Sequence, residues 1–474
     1  MKKFPILCMI LAGLLLIGAI SPVASGAGTD EVLYGCSSLQ AQVPLGGMEQ
    51  LTDTAQAVFL YELNTDTLVY SWNADKRIDP SGMVKILTAL VALENGNLEE
   101  EVTVKRSTLN TVAIGAVSAN LQAGEIISVR DLLYCVMVSS ANDAAAVLAE
   151  HIGGTQTEFV AMMNQKAQEL GCTDSHFGNV HGLSGTDQYT TARDLAIITA
   201  AALENELFSS MFSLLRYTVP ATNKSEERYI ITTNYMMSDE YIKNYRDARV
   251  TGGKTAAATL TDRSVILTAE SGSSRYLCIV MSAQAEVSEN GLTVIKFGSF
   301  NEAKVALDYG FRNFEVRQVV DKRQIYAQYA VAGGQNDVTV SATEDVFTVL
   351  PKEFDMELLR FQTIVDASIL EAPIRAGDIL GALQISYNGI VLGSCELKAN
   401  QDVALHGQTI VDVDRVGVQK GSSFPYKKVL IIAGVVLLLA VLIAVLVVVG
   451  IRLVRSVKVR RAHRRRMRSR RRSR

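Results

Sequence analysis

"DPSGMVKILTALV", residues 79–91, decides how the rest of the chain is read. It holds Pro80, a candidate helix N-cap in Ser81, and one lysine, Lys85, in an otherwise apolar run that ends at "ENGN" (94–97). A hydroxyl at a helix start accepts bonds from the free first-turn amides. Three residues before Lys85, one turn back on the same face, stands Gly82, which has no side chain. The nearest hydroxyl is one residue further away, at Ser81.

Outward from this helix the pattern is mixed. "QAVFLYELNTDTLVYSWNAD" (56–75) reads as a hairpin, two β-branched and aromatic runs around "NTDT". "VRDLLYCVMVSSANDAAAVLAEHIGG" (129–154) reads as two helices joined at "SSAN". "TEFVAMMNQKAQELGC" (157–172) and "TARDLAIITAAALEN" (191–205, with Thr191 as N-cap) are further helices. "SVILTAESGSSRYLCIVMSA" (264–283) reads as two buried strands around a turn. Strand pairs at both ends with helices between predict an α/β domain over 45–311. Its sheet pairs chain-distant strands and is backed by a helical cluster. From residue 312 short alternating segments predict a small all-β domain, 312–411.

The ends point to a membrane. "MKKFPILCMILAGLLLIGAISPVASGAG" has the layout of a signal peptide, assigned to 1–27. Residues 429–451 hold no charge, and about 20 apolar residues cross a bilayer as a helix. The tail, 452–474, carries 13 Lys and Arg and no acid, which places it in the cytoplasm and the body outside. It is expected to rest on anionic lipid. Residues 412–428 form a stalk. Outside the tail, the leader and Lys427–Lys428, 29 Lys and Arg face all 49 acidic residues, so the body is near −20 and nucleic-acid binding by it is not expected. The five cysteines after Cys8 are widely spaced, one disulfide among them is possible, and Cys135 and Cys278 read as core. No H-E-x-x-H occurs, and neither a metal nor a cofactor is expected.

Three stretches carry candidate chemistry: Lys85 on the opening helix, "SAN" (Ser140–Asn142) at a helix junction, and "TGGKTAA" (251–257) with Lys254 and Thr255. Their order and spacing resemble the S-x-x-K, S-x-N and K-T-G motifs of the penicillin-binding serine acyltransferases. "NADKRIDPSGMVKILTALVALENGNLEEEVTV", "HFGNVHGLSGTDQYTTARDLA" and "APIRAGDILGALQISYNG" are similar to the low-molecular-mass D-Ala-D-Ala carboxypeptidases, over roughly residues 50–411. The resemblance implies an acyl-enzyme mechanism on peptidoglycan stem peptides. Lys85 would take the nucleophile's proton, and Ser140 would relay one to the leaving amine. Asn142 would hold the substrate amide, and Lys254 and Thr255 the terminal carboxylate. Backbone N–H groups would hold the oxyanion.

Two positions depart from the family pattern. Gly82 stands where the nucleophilic serine belongs, and Ala256 replaces the Gly of K-T-G. One residue along a helix is about 100° and about 1.5 Å, so Ser81 is misplaced for the serine's role. Ser81 is therefore read as a structural cap. The leading expectation is an impaired homologue that binds or organises stem peptides at the outer face of the cell membrane. The alternatives are an active carboxypeptidase using Ser81, and a non-enzymatic membrane interaction protein. His176 and His181 are assigned packing and turn roles, and Arg193–Asp194 a helix-start ion pair.

Overall fold

The computed structural model describes residues 39, 42–47, 50–51, 53–183, 187–240 and 242–407. The expected signal peptide, stalk, spanning helix and basic tail lie outside the described residues. Among the described residues no single helix is long and apolar enough to cross a membrane. One compact unit runs to Val403; only residues 404–407 of the second are described.

The hairpin forms as read, with β1 (Ala57–Glu62) antiparallel to β2 (Thr67–Trp72). Every residue of β1 is buried, because both of its faces are covered. Ala57, Phe59 and Tyr61 face one apolar cluster, Val58 and Leu60 another, as the two-residue period of a strand requires. The first cluster is helical: α1 (Val84–Asn95), α2 (Val129–Val138), α3 (Asn142–Gly153), α4 (Gln156–Glu169), α5 (Ala192–Leu203) and α6 (Glu206–Phe212). Residues Val84–Ala92 of α1 are buried without a break, as in a helix enclosed on all sides. Thr191 caps α5 by accepting from the Asp194 amide. Asp194 does not pair with Arg193, however. Arg193 reaches back to Asp75, 2.6 Å away, while Asp194 accepts from the Ser175 hydroxyl and the Asp174 amide.

Three further strands, β3 (Val250–Ala257), β4 (Asp262–Ser271) and β5 (Ser274–Gln284), complete an antiparallel sheet of order β2-β1-β5-β4-β3. The chain-distant pairing is β1 with β5, Phe59 opposite Ile279. This leaves β3, which carries Lys254 and Thr255, as an edge strand. A helix the sequence reading passed over, α7 (Gly298–Asn313), covers the opposite face through Phe300, Ala303, Ala306, Leu307 and Gly310. At Gly310 a Cβ would stand 2.6 Å from Leu60 Cδ2, so the helix presses directly onto β1.

A second β region follows from Phe314. β6 (Phe314–Val320) pairs with β9 (Val346–Pro351). A five-stranded sheet runs β7 (Ile325–Tyr329), β8 (Val338–Ala342), β12 (Ile390–Ala399), β11 (Ile379–Tyr387), β10 (Leu359–Val365), around its own core. The four described cysteines, Cys135, Cys172, Cys278 and Cys395, are buried and free, so no disulfide forms among them.

Leu60 joins the strand pair to α7, so Leu60→Ala should cost about 2–5 kcal/mol in urea unfolding. The exposed Ile325→Ala should cost less than about 0.5 kcal/mol. Equal costs would contradict the packing described here.

Candidate active site

The start of α1 is not capped by Ser81. A short 3-10 turn, Ser81–Met83, precedes the helix, and neither start carries a side-chain cap bond. The Asp79 carboxylate does the local work, accepting from the Ser81 amide at 2.8 Å and from Gln188 Nε2 at 3.1 Å. Ser81 is held in the left-handed region, φ +48°, an uncommon conformation for a residue with a side chain. The reason is the neighbour behind it. A Cβ on Gly182 would lie 1.9 Å from the Ser81 carbonyl oxygen, so this loop meets the turn backbone to backbone.

Lys85 is 2% exposed. Its Nζ donates to Asn142 Oδ1 at 2.9 Å and to the His181 carbonyl. One turn on, Thr88 Oγ1 donates to the Val180 carbonyl at 2.7 Å. The helix thus grips the 180–182 loop twice. Burial, reinforced by the charge of Lys254, pushes the Lys85 amine well below the usual lysine range. Burial and then the Lys85 charge hold the His181 imidazole down at about 4. His181 keeps a turn role, its Nδ1 accepting from the Leu183 amide.

Asn142 is the first residue of α3. Its side-chain NH2 and its own backbone amide both donate to the Val117 carbonyl at 2.8 Å. Asp143 beside it accepts from the Ala119 and Leu121 amides and the Ser118 hydroxyl. The helix N-terminus therefore fixes the loop that forms one wall of the site. Ser140, like Ser81, has a left-handed backbone, φ +62°, and lines the same cavity. Two such residues in one cavity is the kind of local strain found at functional sites.

On β3, alternation sends Lys254 and Ala256 to one face and Thr255 and Ala257 to the other. Thr255 Oγ1 donates to Thr233 Oγ1. Lys254 is 1% exposed, and its Nζ has no hydrogen-bond partner among the described residues. Burial alone lowers it to about 7. Lys254 is not part of the cavity wall, whereas Thr255 and Ala256 are.

These elements enclose a cavity of about 350 Å³ bordered by Ser81, Gly82, Lys85, Ser140, Asn142 and Thr255. Gly82 has an ordinary backbone. A Cβ there would meet Ala256 Cβ at 3.4 Å and Lys85 Nζ at 3.7 Å, both ordinary contacts. A hydroxymethyl group at position 82 would therefore fit within reach of the Lys85 amine. Lys85 makes no hydrogen bond to Ser81. The sequence reading missed the His181 carbonyl, Gly182 and Asp79; "HGL" between two helices was the only trace of the first two.

Lys254 binds a proton up to about 10.5 in the unfolded chain but only to about 7 in the fold. The unfolded chain holds more protons between those values, so stability should climb as pH rises from about 7 to about 10.5. Lys254→Met should raise Tm near pH 7 and make this rise shallower. Thermal unfolding at about pH 7 and about pH 10 checks it; an unchanged slope would refute it.

The family model for D-alanyl-D-alanine carboxypeptidase matches residues 46–285, and that for the penicillin-binding protein 5 C-terminal domain matches 314–405. The chain is 27% identical over 362 residues to the D-alanyl-D-alanine carboxypeptidase DacF of Bacillus subtilis, covering 76% of this chain and 88% of that protein. It is 29% identical to DacA of Haemophilus influenzae, covering 75% and 86%. The crystal structure of penicillin-binding protein 5 from Haemophilus influenzae superposes with a TM-score of 0.59 at 27% identity, covering 76% of this chain and all of that one. The motif order, the fold and these matches agree: the chain belongs to the D-alanyl-D-alanine carboxypeptidase family.

Proposed function

We propose that this protein binds peptidoglycan stem peptides ending in D-Ala-D-Ala and is impaired in cleaving them. One observation carries the reading. Lys85, Ser140, Asn142 and Thr255 converge on one cavity, and the position facing the Lys85 amine is Gly82. A low-pKa amine is suited to take a proton from a hydroxyl, but position 82 offers none. Ser81 does not replace it, because its hydroxyl makes no bond to Lys85 and its backbone is pinned by Asp79 and Gly182. Loss of a hydrolase serine costs on the order of a million-fold in turnover. What remains is a cavity with an edge strand beside it, suited to an extended peptide.

The proposal places the body outside the cell membrane. The uncharged run 429–451 would cross the bilayer, with the Arg-rich tail against anionic lipid on the inner side. A family that acts on peptidoglycan and an acidic body suit that location.

Intact-mass analysis after incubation with a labelled β-lactam tests the impairment. The wild-type protein should carry no adduct. Gly82→Ser should gain one at position 82, and faster when combined with Ala256→Gly, which removes the methyl group at 3.4 Å. An adduct on the wild-type protein that disappears in Ser81→Ala would overturn the reading.

A further inference from the structure

We propose that this protein hydrolyses esters in one step, with a water held beside Gly82 by Lys85 as the attacking group and no acyl-enzyme formed. The substrates are ester counterparts of the stem peptide, in which an oxygen replaces the last amide nitrogen. This rests on the stem-peptide reading above, because it gives an activity to the cavity that the reading leaves without a nucleophile.

Hydrogen counting at Lys85 leads to the water. A neutral amine has two hydrogens and one lone pair. Among the described residues the Lys85 amine makes two hydrogen bonds, donated to Asn142 Oδ1 and to the His181 carbonyl. Both hydrogens of the neutral form are thus used, and the lone pair is left for a donor. Burial favours that neutral form, and no Asp or Glu borders the cavity to hold a proton on the amine. A serine hydroxyl at position 82 would be the donor in the family pattern; here the position is open to water. The point a Cβ would take on Gly82 is 3.7 Å from Lys85 Nζ and 3.4 Å from Ala256 Cβ, and apart from its chain neighbours nothing lies nearer. A water oxygen at that point has to shift by less than about 1 Å to reach hydrogen-bonding distance of the amine. Gly82 borders the cavity, as do the hydroxyls of Ser140 and Thr255, so the same water faces a bound acyl group.

The step balances without a covalent intermediate. The water oxygen bonds to the acyl carbon as one of its protons passes to the Lys85 amine. The acyl C–O bond then breaks, and the alkoxide leaves with the proton that Lys85 returns. Ester and water give acid and alcohol, and Lys85 ends neutral. General-base catalysis of this kind contributes about 100- to 10,000-fold. Amides are excluded by their leaving group. An amine departs only once its nitrogen is protonated, and Lys85 makes no hydrogen bond to Ser140, the residue that would relay that proton. An alkoxide is expelled without prior protonation, so a base alone suffices.

The test incubates the full chain with N-acetyl-D-alanyl-D-lactate, the ester counterpart of N-acetyl-D-Ala-D-Ala, and follows release of D-lactate with and without added glycine. The wild-type protein should release it at least about 100-fold faster than buffer. N-acetyl-D-alanine should be the only acyl product, because a one-step reaction leaves no acyl-enzyme for glycine to intercept. In Gly82→Ala a methyl group takes the water's place at ordinary contact distances, and the rate should fall towards that of buffer, by about 10-fold or more. An unshifted melting temperature shows that this variant is folded; if it does not fold, the wild-type products still decide. Formation of N-acetyl-D-alanylglycine, or of acylated protein, overturns the proposal in favour of a covalent route. An undiminished rate in folded Gly82→Ala overturns it too. If a D-Ala-D-Ala-ended peptide binds but the ester is cleaved no faster than in buffer, the water assignment fails and the stem-peptide reading stands. If neither peptide nor ester binds, both readings fail.

Discussion

The buried amine of Lys85 is the constraint on which the site depends. Burying an amine to 2% exposure is costly unless its hydrogens are accepted, and two acceptors are supplied by chain-distant elements, Asn142 from α3 and His181 from a loop. Those bonds draw α1, α3 and the 180–182 loop to one point. The loop in turn packs its glycine against the Ser81 carbonyl, and Asn142–Asp143 anchor the 117–121 wall. The cavity lies where these elements meet. Lys254 is arranged differently. With no hydrogen-bond partner among the described residues and its pKa lowered to about 7 by burial, it is a stability cost kept beside the site.

Gly82 and Ala256 belong together in this geometry. Each differs from the family motif at Cβ, in opposite directions: position 82 lacks the hydroxymethyl group of a serine, and position 256 has a methyl group that glycine lacks. The two sites face each other, with 3.4 Å between the Ala256 methyl and the place a Cβ on residue 82 would take. Position 82 therefore offers no hydroxyl, while Lys85, Ser140, Asn142 and Thr255 still border the cavity. In the proposed reading, binding depends on the walls and the edge strand and acyl transfer on a hydroxyl at position 82, so the first would persist without the second.

Much of this was legible in the sequence because it is written in local patterns. The β1–β2 hairpin, the break at "SSAN" and the Thr191 cap each have a short signature, and the three motif stretches do meet in space. What escaped depends on tertiary contact. Ser81 in a left-handed turn follows from the approach of Gly182, about a hundred residues on, and a Ser before an apolar run otherwise reads as a cap. The α7 helix has its apolar residues at Phe300, Ala303, Ala306–Leu307 and Gly310, a helical spacing, but no side chain caps its start. Arg193 pairs with Asp75 across the fold rather than with its neighbour. The separation of Lys254 from Thr255 follows from strand alternation once "TGGKTAA" is seen to be a strand.

The central claim, a peptide-binding site without its nucleophile, is tested most directly by following one peptide through both steps. Purified protein would be titrated calorimetrically with a D-Ala-D-Ala-ended stem pentapeptide, and the same mixture then assayed for released D-alanine over a day. The account predicts saturable binding with the pentapeptide recovered intact. Release of D-alanine at a rate typical of an active hydrolase, with turnovers of about one per second or more, would contradict it.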